Sequence, residues 1–313
     1  MDEIERIERR LKLHDVRVLM SVVQAGSMHK AAERLATSQP AVSRAISDLE
    51  HALGVRLLDR SPQGIEPTPY GRAIIRRGLA VFDELRQSVK DIEFLADPRA
   101  GELRIACSEE SASGWIFAVI DRLTRRHPRL VFEVVTASVV ETHRELAERR
   151  VDLAIHRRTE ALIEDNMVVE DLFDYDWVVV AEMQNAWTRR RRIELAELAD
   201  EPWVLPPPDS PIGTFTSEAF RATGLRAPRA AVITLSLNLL YRLLRTGRFL
   251  TVLPRFTLEP SSKHLPLKAL SVDLPNARGT VSIVTLKNRT LSPIAELFIE
   301  TARTVTKPLA KTR

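Results

Sequence analysis

The chain has 313 residues, of which 44% are apolar and 28% charged, so it is long enough for two or three globular domains. A single cysteine, Cys107, excludes an intramolecular disulfide framework and a multi-cysteine metal site. The sequence has no apolar run of about eighteen residues, and its charged beginning lacks a secretory apolar region, so we expect a cytoplasmic protein without a membrane span. The net charge of +4 allows an anionic partner without requiring one.

Three helices are predicted first. Leu13–Ala25 carries an apolar face and is ended by Gly26. The stretch Ser27–Leu58 then contains two short helical patterns, the second with Val42, Ile46, Leu49 and Leu53 at spacings of four, three and four. Two short helices joined by a tight turn form either an ordinary helical hairpin or a DNA-binding helix-turn-helix.

The N-terminal end of the second short helix would expose short hydrogen-bonding side chains and one guanidinium, which suit the base edges of a major groove. Ser27 and Ser38 are also predicted helix N-caps. The surroundings are basic, because residues 17–80 hold nine Lys and Arg against five Asp and Glu. The predicted DNA-binding residues here are Ser27, Ser38, Gln39, Pro40, Ser43 and Arg44.

A small β-hairpin, or wing, is predicted next. Val55–Asp59 and Ile65–Thr68 read as short strands on either side of a Ser-Pro-Gln-Gly turn. Arg60 lies near the tip of this wing and is predicted to contact the DNA backbone or minor groove. The alternative is that Arg60 is a solvated surface arginine.

Tyr70–Ala96 is predicted to form one helix of roughly 40 Å, with apolar residues at alternating spacings of three and four. These apolar residues form a seam along the helix, and a second copy of the chain is the simplest partner for it. That copy would supply a second DNA-binding unit for the other half-site of a dyad. The alternative is that the seam packs on its own domain. The predicted dimerisation residues are Ile75, Phe82, Leu85, Val89 and Ile92.

Beyond a break at Asp97–Gly101, strands and helices alternate and predict a parallel sheet. Two further strands are expected around Val168–Phe173 and Trp177–Glu182, and a second cluster of strands and helices follows. The chain then returns to complete the first cluster. This pattern predicts a two-lobed α/β binding domain with a cleft between the lobes.

Ligand contacts are expected where strands end and helices begin. Each hydroxyl there, taken singly, also reads as a helix cap. Glu109 and Glu110 would repel a carboxylate ligand unless they turn outward. The predicted effector-binding residues are Ser108, Ser111, Ser113, Thr136, Ser138, His156, Ser210, Thr214, Thr234 and Ser236.

Other reactive side chains give weaker signals. His156 is either a pH-sensitive contact in the cleft or a structural histidine. Cys107 is predicted to be a small core residue, and the Arg189–Arg192 run a solvated surface rather than a second nucleic-acid patch. No hydrolase, zinc-protease, phosphate-loop or dinucleotide motif is found, so no catalytic residue and no metal ligand is predicted.

The stretch from Leu13 to Gly71 resembles the LysR-type transcriptional regulators, through A-G-S-M-H-K-A-A-E-R-L, S-Q-P-A-V-S-R-A-I-S-D-L-E, L-G-V-R-L-L-D-R and P-T-P-Y-G in family order and spacing. The resemblance extends through G-E-L-R-I, V-D-L-A-I, E-P-W-V-L-P-P and G-R-F-L-T-V-L-P. It departs at P-T-P-Y-G, where the family often has L-T-x-A-G, and at His156, where a glycine is common.

The resemblance implies an α+β multidomain fold: a winged helix-turn-helix, a long linker helix, and a two-lobed α/β effector-binding domain like type 2 periplasmic binding proteins. The implied boundaries are a DNA-binding domain at 1–69, a linker and dimerisation helix at 70–97 and an effector-binding domain at 98–313. Within the last, lobe I spans about 98–175 and 266–313 and lobe II about 176–265.

The implied function is sequence-specific, DNA-binding regulation of transcription, modulated by a small molecule between the lobes. The expected partners are double-stranded DNA with a dyad operator, a homodimer formed through the linker helix and further assembled as a homotetramer, and RNA polymerase. The expected effector is an organic acid or a sugar-like metabolite, with no cofactor. Two alternatives remain at this point: a solute-binding protein with a helical N-terminal extension, and an enzyme on an α/β scaffold.

Overall fold

A computed structural model describes residues 5, 7, 9–61, 64–97, 99–258, 266–275 and 277–309, except for the side chains of Arg60 and Pro211. The chain divides into two compact units, and the division falls between Val89 and Lys90. In the described residues no helix is both long enough and apolar enough to cross a bilayer.

Three helices begin the first unit: α1 (Leu13–Ala25), α2 (Met28–Arg34) and α3 (Gln39–Leu53). Gly26 ends α1 in the left-handed conformation, with φ of 66°, as its sequence position predicts. The Ser38 side chain caps α3 by accepting from the amide of Ala41, whereas Ser27 stands at the start of α2 without a side-chain cap. The core that joins the helices is formed by Val16, Leu19, Ala31, Ala32, Val42, Ile46 and Leu49, all buried.

The wing consists of β1 (Leu58–Ser61) and β2 (Gly64–Pro67), paired antiparallel. The first strand begins three residues later than predicted. The amides of Leu57 and Leu58 donate to a carboxylate oxygen of Glu50 on α3, and this ties the chain to the helix before the strand can start. The tip of the predicted turn, residues 62–63, lies outside the described residues.

Helix α4 (Pro69–Ala96) follows the wing directly. The Thr68 hydroxyl donates to the carbonyl of Arg56 and accepts from the amide of Gly71, so Thr68 fixes the start of α4 to the strand before the wing. A Cβ at Gly71 would lie 2.1 Å from the carbonyl oxygen of Leu57. The P-T-P-Y-G motif therefore works as a cap followed by a close backbone crossing.

The second unit is an α/β domain. Its strands are β3 (Ala100–Cys107), β4 (Arg129–Thr136), β5 (Leu153–Arg157), β6 (Met167–Glu182), β7 (Trp203–Leu205), β8 (Ala230–Ile233), β9 (Thr251–Pro254), β10 (Leu267–Ala269) and β11 (Arg278–Leu286). Its helices are α5 (Glu109–Ser111), α6 (Phe117–Arg126), α7 (Val139–Ala147), α8 (Pro211–Ala222), α9 (Leu237–Leu244) and α10 (Pro293–Thr306). The strand order is β10-β6-β11-β5-β3-β4, with β9 also paired to β6 and β7 paired to β8.

Strand β6 is the main departure from the sequence prediction. Two strands were expected around Val168–Phe173 and Trp177–Glu182, but the structure has one continuous strand of 16 residues. Its first part pairs with β11 and its last part with β9 and β10. The polar residues between the two apolar runs do not break the strand, because they stay paired with residues 278–280 of β11. A single strand therefore belongs to both lobes.

Several helix boundaries also differ from the sequence pattern, which predicts helices at Gly114–Arg126, Val139–Arg150 and Phe215–Thr223. Helical turns begin at Glu109 rather than Gly114, which instead interrupts the helix with φ of −92° and ψ of −109°. Helix α8 begins at Pro211 rather than Phe215, because Ser210 caps it and proline fits a first turn. Helix α7 ends at Ala147 rather than Arg150, since Arg149 has a left-handed φ of 57°.

A buried charge cluster fixes the last turns of α4 within the second unit. Asp152, just before β5, accepts from Lys90 at 3.2 Å and from Arg289 at 2.6 Å. The amide of Arg104 donates to the same carboxylate. Burial by itself would raise the pKa of Asp152. The charge of Arg289, the amide of Arg104 and Lys90 together outweigh burial and hold that pKa below its usual range.

Candidate functional site

The first candidate site is the N-terminal end of α3. Ser38, Gln39, Pro40 and Arg44 are exposed there, and Ser43 is partly exposed. The opposite face of the helix is buried, so these side chains point away from the core. The structure thus brings five of the predicted DNA-contact residues onto one surface, less than three helical turns long.

Arg44 carries the only positive charge among these residues. No described carboxylate forms an ion pair with it, and its side chain is exposed. Its guanidinium is therefore free to make the bidentate contact that guanine offers in a major groove. Ser47, which is absent from the predicted set, is also exposed and lies one turn further along the same helix face.

The other two predicted DNA contacts lie apart from α3. Ser27 is partly buried at the start of α2. Arg60 lies on β1, opposite Ile65 of β2, which places its backbone in the wing as predicted.

The predicted dimerisation seam divides into two parts. Ile75 and Phe82 are partly buried against the core of the helix-turn-helix, and a Cβ at Gly78 would come 2.7 Å from Val16. The alternative that the seam packs on its own domain is therefore correct for its first half. Leu85, Val89 and Ile92 are 49%, 54% and 67% exposed, and Leu95, which sequence reasoning left out, is 81% exposed.

A recess in the second unit lies at the carboxyl ends of β7 and β8 and beside the first turn of α9. Its enclosed space is small, about 30 Å³, and the surrounding volume of about 380 Å³ includes open solvent at its mouth. Of the ten predicted effector-binding residues, only Thr234 and Ser236 line it. Glu110, from the turn after β3, faces the recess from lobe I, so the recess has walls from both lobes.

A second, more open recess adjoins the first. It is lined by Glu109, Ser113, Leu237, Asn238, Tyr241, Arg242 and Arg245. Tyr241 of α9 and Ser113 line it from the two lobes. Burial raises the pKa of Tyr241, while the interaction with the Ser113 side chain opposes the rise. Ser113 is therefore a predicted effector residue that the structure places at a contact between the lobes.

Four of the predicted hydroxyls are helix caps. Ser108, Ser138, Ser210 and Ser236 each accept a backbone amide at the start of a helix. The Ser111 hydroxyl bonds to that of Ser108, and the Thr214 hydroxyl donates to the carbonyl of Pro208. Apart from Ser236, none of these lines either recess, and neither does Thr136. The capping interpretation is therefore correct for Ser108, Ser138, Ser210 and Ser236.

His156 does not lie in the cleft. Its side chain is 2% exposed and packs against His143 of α7, with 4.5 Å between the ring centroids. Burial lowers its pKa to about 4, although Nδ1 bonds to the carbonyl of Arg157. The structural alternative holds because β5 turns this side chain toward α7, beneath the helix.

Glu109 and Glu110 face in different directions. Glu109 is exposed, while Glu110 is partly buried at the recess. Burial raises the pKa of Glu110, its own amide and the Ser108 hydroxyl lower it, and the charge of Glu109 raises it further. Sequence reasoning mentioned Glu110 only as an obstacle to a carboxylate ligand. The feature of the sequence that could have identified Glu110 is its position in the turn directly after strand β3.

Neither Cys107 nor the Arg189–Arg192 run forms a reactive site. Cys107 is buried, and burial raises the pKa of its thiol to about 12, so it is not a nucleophile near neutral pH. Arg190 pairs with Glu197 and Arg192 with Glu194. Within the described ranges, no cluster of three His, Cys, Asp or Glu is arranged to hold a metal ion.

Comparison with known proteins identifies both units. Residues 13–72 match the sequence model of the bacterial regulatory helix-turn-helix proteins of the lysR family, and residues 96–307 match that of the LysR substrate binding domain. The chain is 28% identical to the HTH-type transcriptional regulator GbpR of Azospirillum brasilense over 305 residues, covering 95% of this chain and 87% of that protein. It is 25% identical to TdcA of Escherichia coli over 287 residues, covering 91% and 90%.

Solved structures show the same fold. A full-length OxyR variant from Pseudomonas aeruginosa aligns with a TM-score of 0.66 at 20% identity, covering 94% of this chain and 95% of that one. Full-length CbnR, crystallised with its target DNA, aligns with a TM-score of 0.62 at 19% identity, covering 94% and 100%.

The chain therefore belongs to the LysR family of bacterial transcriptional regulators. It combines a DNA-binding helix-turn-helix with a substrate-binding domain that receives a small-molecule effector, and its relatives are regulators rather than enzymes or solute carriers. The long helix α4 lies between the two matched segments.

Proposed function

We propose that this regulator reads its operator with the exposed end of α3. Ser38, Gln39, Pro40, Ser43 and Arg44 enter the major groove, with Arg44 as the main base contact. Ser27 and the wing residue Arg60 contact the DNA backbone or minor groove. The observation that carries this proposal is the unpaired, exposed guanidinium of Arg44 among short polar side chains.

The functional division that we propose is a DNA-binding domain at 1–69, a linker helix at 70–97 and an effector-binding domain at 98–313. Two copies pair through the exposed part of α4, centred on Leu85, Val89 and Ile92, and so present two α3 helices to a dyad. Pairs of dimers form a homotetramer, and RNA polymerase is the partner at the promoter. The protein acts in the cytoplasm.

The effector occupies the recess between Glu110 and the first turn of α9. By binding both lobes it changes their relative placement, which requires that it prefer one arrangement over the other. Family resemblance alone favours an organic acid or a sugar-like metabolite. The negative charge at this recess favours a different class.

The operator-reading proposal is tested with an Arg44→Ala variant of the full-length chain. Genomic footprinting first supplies a specific site, and binding is then measured on that site and on random DNA. Loss of one base-reading arginine is expected to weaken specific binding by about 1–3 kcal/mol and to relax base preference at one position.

The matched control is Arg125→Ala, which removes an exposed arginine of the second unit that already pairs with Asp121. It should leave specific binding unchanged. An equal loss on specific and random DNA with Arg44→Ala would show that Arg44 only neutralises phosphates.

A further inference from the structure

The recess described above is apolar on the lobe II side and acidic on the lobe I side. Most of its wall is built by side chains such as Trp177, Leu205, Ile212, Leu240 and Leu253. Among the described residues that line it, Glu110 alone carries a charged side chain. An incoming ligand therefore meets hydrocarbon on most sides and one carboxylate.

That carboxylate has no cationic partner. Among the described residues, no lysine or arginine lines the recess or pairs with Glu110. The groups that interact with Glu110 are its own amide, the Ser108 hydroxyl and the like charge of Glu109. Arg242 and Arg245 line the neighbouring recess together with Glu109, not this one.

The wall carries three hydroxyls, and each makes one local hydrogen bond, two as acceptors and one as a donor. The Thr234 hydroxyl oxygen accepts from the amide of Ser236, and the Ser236 hydroxyl oxygen accepts from the amide of Leu239. The Thr251 hydroxyl donates to the carbonyl of Val204. A ligand with many hydroxyls would leave most of them without partners here, which costs free energy in an apolar site.

We propose that the effector of this regulator is an organic amine: its ammonium group enters the recess and pairs with the carboxylate of Glu110, and the lobes part so that its apolar body packs against Trp177 and the leucines. This inference rests on the proposed function, because it takes the recess as the effector site. A carboxylate ligand would face Glu110 as a like charge. An ammonium instead supplies the missing counter-charge, and a charge-assisted hydrogen bond in a partly buried site is among the stronger polar contacts.

The free protein is expected to carry a cost that such a ligand relieves. Burial raises the pKa of Glu110, with Glu109 acting in the same direction, so ionised Glu110 destabilises the empty domain above that pKa. Cys107, Tyr175 and Tyr241 are the other titratable groups that interact with Glu110, and all three are neutral near pH 7. Glu110→Gln should therefore fold and unfold at a slightly higher temperature than the parent near neutral pH.

The test compares three ligands with one hydrocarbon body: hexylammonium chloride, sodium hexanoate and hexanol. Their binding to the full-length chain is measured by the shift in the thermal unfolding midpoint and by the emission of tryptophan, because Trp177 lies on the wall of the recess. The same titrations are run on Glu110→Gln and on Glu109→Gln. The second variant removes an equal charge from the adjacent, exposed position.

Hexylammonium should bind the parent more tightly than hexanoate or hexanol. Glu110→Gln should weaken its binding by about tenfold or more, the size of one lost charge-assisted hydrogen bond. Glu109→Gln should retain most of the binding. Hexanol should bind the parent and Glu110→Gln alike, since it makes only apolar contacts and a neutral hydrogen bond.

Three results would overturn the proposal: hexanoate bound more tightly than hexylammonium, hexylammonium bound equally by Glu110→Gln and the parent, or no hexylammonium binding at millimolar concentration. Operator binding is measured on the same preparations. If the parent binds its operator but not the amine, the inference fails and the proposed function stands. If the parent binds no specific DNA, the proposed function fails independently of the amine result.

Discussion

Neighbouring residues of one type have different roles in this chain, and their surroundings decide which. Glu109 is exposed while Glu110 faces the recess, although both follow the same strand. Ser236 lines the recess, whereas Ser108, Ser138 and Ser210 cap helices outside it. The sequence pattern of a strand followed by hydroxyl residues predicted all four serines as ligand contacts. That pattern indicates where helices begin, but it does not indicate which helix N-termini lie at the same cavity.

His156 shows the same limit and leads to a prediction on pH. Burial lowers its pKa to about 4 and also lowers that of His143, which stacks on it. Because the folded state disfavours the charged form, the unfolded chain binds more protons between about pH 6.5 and 4. We expect the stability of the effector-binding unit to fall over that range by on the order of 3 kcal/mol.

The measurement is urea denaturation of the full-length chain at several pH values, compared with His156→Phe. The variant removes this titration, so its stability should change less steeply with acidification, whatever its absolute value. An unchanged slope in the variant would assign the acid sensitivity to other groups. The stability that comes from the lowered pKa of Asp152 is lost only at lower pH, as the pH falls below the ordinary pKa range of a carboxyl group.

At the scale of elements, the apolar seam of α4 has two different surroundings along its length, which its sequence pattern did not distinguish. Its first half packs on the helix-turn-helix through Ile75 and Phe82, and close contact at Gly78 leaves no room for a side chain there. Its second half exposes a row of apolar residues. Exposed apolar rows of this kind mark surfaces for association.

A double variant, Val89→Glu with Ile92→Glu, tests the dimer surface. Each change places a charge where two apolar rows would meet, so the dimer dissociation constant should rise by more than about tenfold. Sedimentation of the full-length chain over a range of concentrations measures it. Ser88→Glu, which adds charge at an exposed polar position of the same helix, should leave it unchanged. Equal dissociation constants for parent and double variant would place the dimer contact elsewhere.

At the scale of the whole molecule, strand β6 and the Asp152 cluster connect segments that are distant in sequence. One strand of 16 residues pairs with β11 in lobe I and with β9 in lobe II, so motion between the lobes must bend or twist it. Asp152 joins Lys90 on α4 to Arg289 near α10. Both features are long-range contacts that local sequence patterns do not reveal.

Asp152→Ala should be strongly destabilising, by about 3–5 kcal/mol, because it leaves Arg289 buried without its carboxylate partner. Denaturation of the full-length chain, followed by tryptophan emission, measures the loss. Glu160→Ala is a matched control, since it breaks an exposed ion pair with Arg158 and should cost less than about 1 kcal/mol. Similar losses in the two variants would mean that the buried cluster contributes little to stability.

The amino-acid sequence by itself determined the winged helix-turn-helix, the length of α4, most strands of the effector-binding unit and the family, because those depend on local periodicity, caps and spaced motifs. The α3 surface followed from the same local geometry, since residues one turn apart on a helix share a face. Only the tertiary structure decided that Glu110 rather than a row of serines faces the recess, that His156 packs beneath α7, and that half of the α4 seam is already covered. Those outcomes depend on contacts between residues far apart in the chain, where the same polar side chain is a cap, a buried group or a ligand contact according to what packs against it.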